Sequence, residues 1–264
     1  SDVYKRQPDP SIVKSAARTL EIFEYFDELR RPANIQEVAL SLGYPHSSTG
    51  ALLRSLTDLG YLEYSIEDKT FFPSIRVSLL GNWVADETLP LRLIQQQMRE
   101  IADATQMTVV LGARSGGYCH YVRAIQGTTP IRYHLKAGTR LCLARSTVGS
   151  ALLSMETMDR QPRLIAQALS VWDSDEDAPR PEELAADLAL VAARGYAFKS
   201  GLVNAQAAML AIPLAIRTQT RPLAIGLAAP KNLFRGRRPE LIRILREALG
   251  RLADQAHLQT DKSG

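Results

Sequence analysis

The residues that build disulfide frameworks and metal centres are scarce in this sequence. Among its 264 residues there are two cysteines, Cys119 and Cys142, and four histidines. Two cysteines are too few for a disulfide framework, and neither lies in a CxxC or Cys/His arrangement with the spacing of zinc ligands. The sequence therefore predicts reduced thiols, no bound metal and no cofactor.

Long apolar runs are also missing. No stretch reaches the roughly 18 uninterrupted apolar residues that favour a membrane-spanning helix. The first twenty residues carry four basic side chains without the compact apolar segment and small-residue cleavage site of a secretion signal. We therefore expect a cytoplasmic protein that makes no contact with membranes, and a disordered tail over residues 1–10, where no periodicity is present.

The motifs of common enzymes are absent as well, including the nucleophile elbow and the phosphate-binding loop. Cys119 and His120 are adjacent, and His134 lies in a neighbouring predicted strand. Adjacent residues of a strand point to opposite faces, so Cys119 and His120 cannot act together as nucleophile and base. The sequence predicts a protein that is not an enzyme; turnover of a small molecule by the second domain is a weaker alternative.

The positive charge of the chain does not lie in its first third. The formal net charge is +4, yet residues 1–90 hold nine lysines and arginines against thirteen aspartates and glutamates. That segment is thus at −4, which leaves +8 for the remainder. Composition alone argues against nucleic-acid binding by the N-terminal region, so any such function must be supported by pattern.

The first seventy residues have the pattern of three helices followed by a hairpin. Apolar residues including Ala16, Leu20 and Phe23 recur at helical spacing over residues 15–29. Asn34, followed three residues later by Glu37, is a typical start for a second helix, which Gly43 ends. Only a three-residue turn separates this helix from a third one over residues 46–59, and two short helices joined in this way form a helix-turn-helix.

Two short strand-forming runs follow, at residues 61–64 and 71–72, and predict a small hairpin, or wing. The N-terminal part of the last helix in such a motif reads base edges in the major groove of DNA. The predicted DNA-binding residues are His46, Ser47, Ser48, Thr49, Gly50, Ala51, Arg54 and Lys69, although the spacing of Thr49, Leu52, Leu53 and Leu56 also places Thr49 on the inward face. A structural or protein-interaction module is the alternative, because tight helix pairs are common.

These segments resemble the IclR family of transcriptional regulators. The resemblance is carried by SAARTLEIF from residue 15, IQEVALSLGYP from residue 35, the leucines at 52, 53 and 56, and LGYLE from residue 59. Members usually carry an arginine in the middle of the recognition helix, where this chain has Ala51 beside Gly50. We expect Arg54, one turn further along, to take over part of the phosphate or guanine contact.

The remainder of the chain has the pattern of a helical linker followed by an α+β domain. We assign residues 11–75 to a winged helix-turn-helix, 76–105 to the linker, and 106–258 to an effector-binding and oligomerisation domain. Predicted strands lie at residues 108–113, 118–125, 131–135, 208–216 and 223–229, and predicted helices at 146–155, 181–194 and 239–257. Strands in two blocks with helices at their ends are typical of the α+β class.

The same resemblance continues through AGTRL at residues 137–141, GSALL at 149–153, RGYAF at 194–198 and LAIP at 210–213. It implies a GAF-like domain that encloses a small organic effector, and a homodimer or dimer of dimers that binds double-stranded DNA at a near-palindromic operator. Carried over by motif, the effector-binding residues are Leu143, Thr147, Val148, Met209, Gly226 and Ala228.

The residues of this implied site are mainly apolar, which favours an aromatic or other largely apolar ligand. If that ligand is an acid, its charge requires a basic partner. The candidates are Lys199, Arg145 and Arg132.

Overall fold

The computed structural model describes residues 13–86, 91–131, 133–172, 178–202, 205–214 and 222–260. The predicted tail at residues 1–10 and the candidate Arg132 therefore lie outside the described residues. The chain divides into two compact units, residues 1–86 and 87–264. Within the described part, no helix combines the length and the apolar character needed to cross a bilayer.

The first unit consists of helices and one two-stranded antiparallel sheet, as the sequence predicts. Its elements are α1 (Lys14–Leu29), α2 (Ile35–Leu42), α3 (His46–Asp58), β1 (Leu62–Ser65), β2 (Thr70–Pro73) and α4 (Ile75–Asp86). Its core joins α1, α2, α3 and the hairpin through buried residues that include Phe26, Val38, Leu53, Leu62 and Phe71. The predicted helix-turn-helix and wing are confirmed.

The start and end of α2 are set by the residues that the sequence indicates. The Asn34 side chain accepts a hydrogen bond from the Glu37 backbone N–H at 2.9 Å. At the other end, Gly43 has φ +69°, a left-handed conformation that glycine adopts without strain. Both capping predictions are confirmed, and they fix the short turn that leads into α3.

The predicted apolar stripe of α1 is wrong at Leu20. Leu20 is 63% exposed, whereas Ile22 and Phe26, one turn apart, fill the core. Since each helical residue advances about 100°, Leu20 lies on nearly the opposite side of α1 from Ile22. Two apolar stripes are present in this sequence, and packing against α2 and the hairpin selects one of them.

The second unit is built on a six-stranded sheet in which every neighbouring pair is antiparallel. Its strands are β3 (Thr108–Ser115), β4 (Tyr118–Ile125), β5 (Arg140–Cys142), β6 (Ala197–Ser200), β7 (Ala207–Leu214) and β8 (Leu223–Pro230), in the spatial order β5-β4-β3-β8-β7-β6. The predicted α+β class is confirmed. The two groups of strands, β3 to β5 and β6 to β8, are joined by the pairing of β3 with β8.

The prediction of a strand at residues 131–135 is wrong, because none of the described residues of that run lies in a strand. The free edge of β4 is occupied from residue 138 onward instead: Gly138 donates to the Tyr121 carbonyl, and the Tyr121 N–H donates to the Thr139 carbonyl. In the earlier run, the Tyr133 carbonyl accepts a hydrogen bond from Thr108 Oγ1, at the start of β3, at 3.3 Å.

Helices cover both faces of this sheet. They are α5 (Leu91–Thr105), α6 (Thr147–Leu153), α7 (Gln161–Leu169), α8 (Pro181–Arg194) and α9 (Arg238–Thr260). On one face α5 packs with α9, and Ile94 and Met98 of α5 are buried in the same cluster as Leu241 and Leu245 of α9. The opposite face carries α6, with α7 and α8 outside it. Sequence analysis did not predict α7, whose buried side is limited to three residues.

Two glycines allow α6 to lie directly against the sheet. A Cβ atom on Gly112 of β3 would lie 2.4 Å from a γ-methyl of Val148, and one on Gly226 of β8 would lie 2.8 Å from its other γ-methyl. Real carbon atoms do not approach so closely, so any other residue at either position would push α6 away from the sheet.

We expect Gly112→Ala to lower the free energy of unfolding by about 1–3 kcal/mol, the usual cost of forcing an extra carbon into a packed core. Val148→Ala in the same chain removes the clashing methyl groups, so the double variant should be more stable than Gly112→Ala alone. Urea denaturation of the 264-residue chain measures both changes.

Gly250→Ala is the matched control, because a Cβ at this position of α9 would meet nothing within 4 Å. It should leave stability unchanged or raise it. If the losses caused by Gly112→Ala and Val148→Ala simply add, these residues are not in the close contact that the structure shows.

Candidate DNA-binding surface and candidate ligand site

The exposed face of α3 carries most of the residues predicted to bind DNA. His46, Ser47, Ala51 and Arg54 are exposed, and Ser48 is half-buried with its hydroxyl donating to the Pro45 carbonyl at 3.0 Å. These side chains lie along the first three turns of the helix. The helix therefore presents small polar groups and one arginine to an approaching surface.

Two of the predicted DNA contacts need correction. Thr49 is fully buried, and its hydroxyl donates to the Pro45 carbonyl at 3.1 Å, so it is a core residue. Gly50 is also buried, because the side chains of Arg54 and Ile35 lie over it. Neither residue can contact DNA in this arrangement.

A groove of about 720 Å³ lies between α3, the N-terminal end of α2 and the wing. It brings together His46 and Arg54 of α3 with Lys69 of the wing. Lys69 has φ +54° at the tight turn between β1 and β2, which places it at the end of the hairpin. Asp58 and Asp68 also line the groove, so its charge is mixed.

The side chains of Arg54 and Lys69 make no hydrogen bond or ion pair with another residue in the described ranges. By contrast, Arg31 pairs with Glu37, and this hydrogen bond lowers the pKa of the Glu37 carboxyl. The guanidinium of Arg76 lies 4.8 Å from the centre of the Tyr61 ring. The groove thus holds two cations that are available to an external anion or base edge.

In the second unit, the residues carried over by motif lie on the α6 side of the sheet. Lys199, Met209 and Ala228 are direct cross-strand neighbours on β6, β7 and β8, so they form one row. Leu143 belongs to the 3₁₀ turn that precedes α6, and Thr147 to the first turn of α6. A Cβ atom on Gly226 would lie 2.8 Å from a γ-methyl of Val148 and 3.3 Å from the Met209 sulfur. Val148 therefore packs tightly against Gly226.

Sequence analysis missed Tyr121, which lies on the same face of the sheet. Tyr121 is 2% exposed, and its hydroxyl donates to the Met209 sulfur at 3.7 Å. A bulge between Leu111 and Gly112 shifts the pairing of β3 with β4 and brings Tyr121 opposite Gly112. Alternation along β4 could have placed Tyr121 on this face, but no local pattern shows the bulge or the distance to β7.

The basic residues proposed as partners for an acid have different surroundings. The Lys199 ammonium lies 2.9 Å from a carboxylate oxygen of Asp187 on α8. Arg145, at the end of the 3₁₀ turn, donates from Nη2 to the Leu202 carbonyl at 3.1 Å. Lys199 is therefore held by a charged side chain, and Arg145 is held in part by a backbone carbonyl.

Comparison with known proteins identifies the family. Residues 15–65 match the IclR helix-turn-helix domain, and residues 89–253 match the family described as "Bacterial transcriptional regulator IclR C-terminal". The chain belongs to the IclR family of bacterial transcriptional regulators. Its curated relatives include the regulator KdgR of Dickeya chrysanthemi, 22% identical over 251 residues that span 95% of this chain and 81% of that protein.

Solved IclR-family structures share the fold of this chain. The regulator from Alicyclobacillus acidocaldarius is 18% identical and aligns over 93% of this chain and 99% of that one, with a TM-score of 0.62. An IclR homologue from Microbacterium hydrocarbonoxydans, crystallised with 4-hydroxybenzoate, is 20% identical over 93% and 100% of the two chains, with a TM-score of 0.59. At these identities the similarity shows the architecture alone.

The two cysteines of this IclR-family chain are buried in the core between the sheet and α6. Burial raises the pKa of the Cys119 thiol to about 12, so it stays protonated at neutral pH. His120 points to the other face of β4, where burial and Arg140 lower its pKa. Cys142 donates from Sγ to the Ala168 carbonyl at 3.1 Å. This geometry does not supply the nucleophile and base that the adjacent residue types suggest.

Proposed function

We propose that this IclR-family chain binds a near-palindromic operator as a homodimer or dimer of dimers in the bacterial cytoplasm. A small, largely apolar organic acid bound in the second unit controls its affinity for that operator. The chain acts as a regulator and not as an enzyme. Two copies are required because a two-fold symmetric site presents one half-site to each recognition helix.

The observation that supports DNA binding most strongly is the groove that α3 shares with the wing. In this proposal His46, Ser47, Ser48 and Ala51 meet the bases or phosphates at the N-terminal part of α3, where a recognition helix enters the major groove. Arg54 and Lys69 supply the local positive charge. Because the segment of residues 1–90 has a formal charge of −4, these few cations must provide the attraction that net charge does not.

The apolar residues on the α6 side of the sheet favour an aromatic acid as the ligand. The row of Met209 and Ala228, with Leu143 in the turn before α6, offers apolar contact, and burial of such surface contributes about 25 cal/mol per Å². The neighbour crystallised with 4-hydroxybenzoate supports this ligand class. Arg145, Lys199 and Arg132 are the candidate partners for the carboxylate, and the ammonium of Lys199 also lies 2.9 Å from Asp187.

Ligand control of this kind is limited by differential affinity. A ligand shifts operator affinity only as far as it binds the operator-competent state and the other state unequally, and such couplings are typically about 1–3 kcal/mol. The alternative function is a ligand-sensing module whose helix-turn-helix binds proteins and makes no specific contact with DNA. The acidic balance of residues 1–90 favours that alternative.

Operator binding is tested with duplexes selected by the protein from a random DNA library. We expect the selected duplex to bind more tightly than its scrambled version, with affinity falling steeply as salt rises. Lys69→Ala should weaken both duplexes equally and reduce the salt slope by about 1, because a lysine at the wing contacts phosphate and not base. Fluorescence anisotropy measures both effects.

Lys136→Ala is the matched control, since it removes the same charge from an exposed position in the second unit. It should leave affinity and salt slope close to those of the parent protein. Failure of any sequence to be enriched, together with equal weak binding to all duplexes, would contradict operator recognition and favour the protein-interaction alternative.

The ligand class is tested by isothermal titration calorimetry with 4-hydroxybenzoate, benzoate, pyruvate and glyoxylate. We expect the two aromatic acids to bind and the short acids to bind weakly or not at all, because only the aromatic acids bury apolar surface. Arg145→Gln should weaken the aromatic acids by removing the charge that faces the carboxylate. Binding of the short acids alone would show that the apolar site is wrongly assigned.

A further inference from the structure

The guanidinium of Arg54 lies directly over Gly50, one turn earlier in α3. A Cβ atom on Gly50 would lie 3.2 Å from Arg54 Nη1 and 3.5 Å from Nη2. The third neighbour of that position is Ile35 Cδ1, at 3.4 Å. The Arg54 side chain therefore fills the place that a side chain at position 50 would occupy.

The backbone does not require glycine at this position. Gly50 lies within a regular stretch of α3, and its φ is not in the left-handed region that favours glycine. A glycine inside a helix also destabilises it relative to alanine. The feature that distinguishes Gly50 is the space it leaves, and Arg54 uses that space.

This arrangement changes where the arginine acts along the helix. Arg54 is the only lysine or arginine in the 13 residues of α3, and its Cα lies in the third turn, beyond the N-terminal residues that enter a major groove most deeply. Helical side chains lean toward the helix N-terminus, and one turn is about 5.4 Å. By folding over Gly50, Arg54 brings its donors back toward the turn that carries Ser47 and Ala51.

We infer that Gly50 is a positioning residue that sets DNA sequence specificity by holding the Arg54 guanidinium where it can bond N7 and O6 of a guanine. This inference rests on the proposed operator binding. The guanidinium matches those two acceptors as a fork, and a good pair of this kind provides about 5- to 150-fold discrimination against the wrong base. Gly50 itself is buried and contacts no DNA.

The test is a double-mutant cycle on the selected duplex, with affinity measured by anisotropy. We expect Arg54→Ala to weaken binding by about 5- to 150-fold. Gly50→Ala should cause an intermediate loss, because the arginine moves by a few tenths of an ångström, and Gly50→Leu should cause a loss close to that of Arg54→Ala. In the Arg54→Ala background, both substitutions at Gly50 should have no further effect.

A second readout distinguishes positioning from damage to the fold. Replacing the contacted guanine by 7-deazaguanine, which lacks the N7 acceptor, should weaken the parent protein but leave Gly50→Leu and Arg54→Ala unchanged. Gly50→Ala should also keep or raise the thermal unfolding temperature, since alanine favours helix. If Gly50→Leu fails to fold, the double-mutant cycle is measured with Gly50→Ala alone.

Gly250→Ala in α9 is the matched glycine-to-alanine control, and it should change neither affinity nor the response to 7-deazaguanine. Losses at Gly50 that persist in full when Arg54 is alanine would overturn the inference and leave operator binding intact. An operator whose binding is insensitive to Arg54→Ala would overturn it as well. If no duplex is enriched, operator binding fails, and this inference fails with it.

Discussion

The close approach of α6 to the six-stranded sheet is the contact on which the second unit depends. Val148 reaches the sheet only because Gly112 and Gly226 have no side chains. That approach places α6 against β6, β7 and β8, the strands that carry the row formed by Lys199, Met209 and Ala228. The candidate ligand site comprises the packed pair Val148 and Gly226 together with the residues of that row.

In both units, glycine lets a neighbouring side chain lie close to a backbone. In the second unit, two glycines admit Val148 and thereby fix α6. In the first unit, Gly50 leaves room for Arg54 on the surface of α3. In each case the glycine has no side chain, and a neighbouring side chain occupies the space beside its backbone.

The sequence predicted the parts of the fold that local residues determine. Asn34 and Gly43 set the ends of α2 through their own hydrogen bond and backbone conformation, and the wing follows from two short strand-forming runs. Contacts between distant segments were not predictable in this way. The third strand was placed at 131–135 because strand propensity does not show which segment takes the edge of β4.

In the candidate sites too, helical spacing places some residues correctly, whereas others depend on contacts that no local pattern shows. Helical spacing correctly placed Thr49 on the inward face of α3, so its inclusion among the DNA contacts was inconsistent with its own pattern. The burial of Gly50 depends on how Arg54 folds back, which no spacing rule specifies. Tyr121 was missed because its position next to Met209 depends on a bulge and on pairing across four strands.

The central claim is that the ligand site and the operator are coupled, and the coupling must act in both directions. Operator affinity is measured with and without saturating 4-hydroxybenzoate, and affinity for 4-hydroxybenzoate is measured with and without the selected duplex. The account predicts that both affinities change by the same factor, about 5- to 150-fold. If 4-hydroxybenzoate binds and neither affinity depends on the other partner, the second unit does not control DNA binding through this ligand, and the account is wrong.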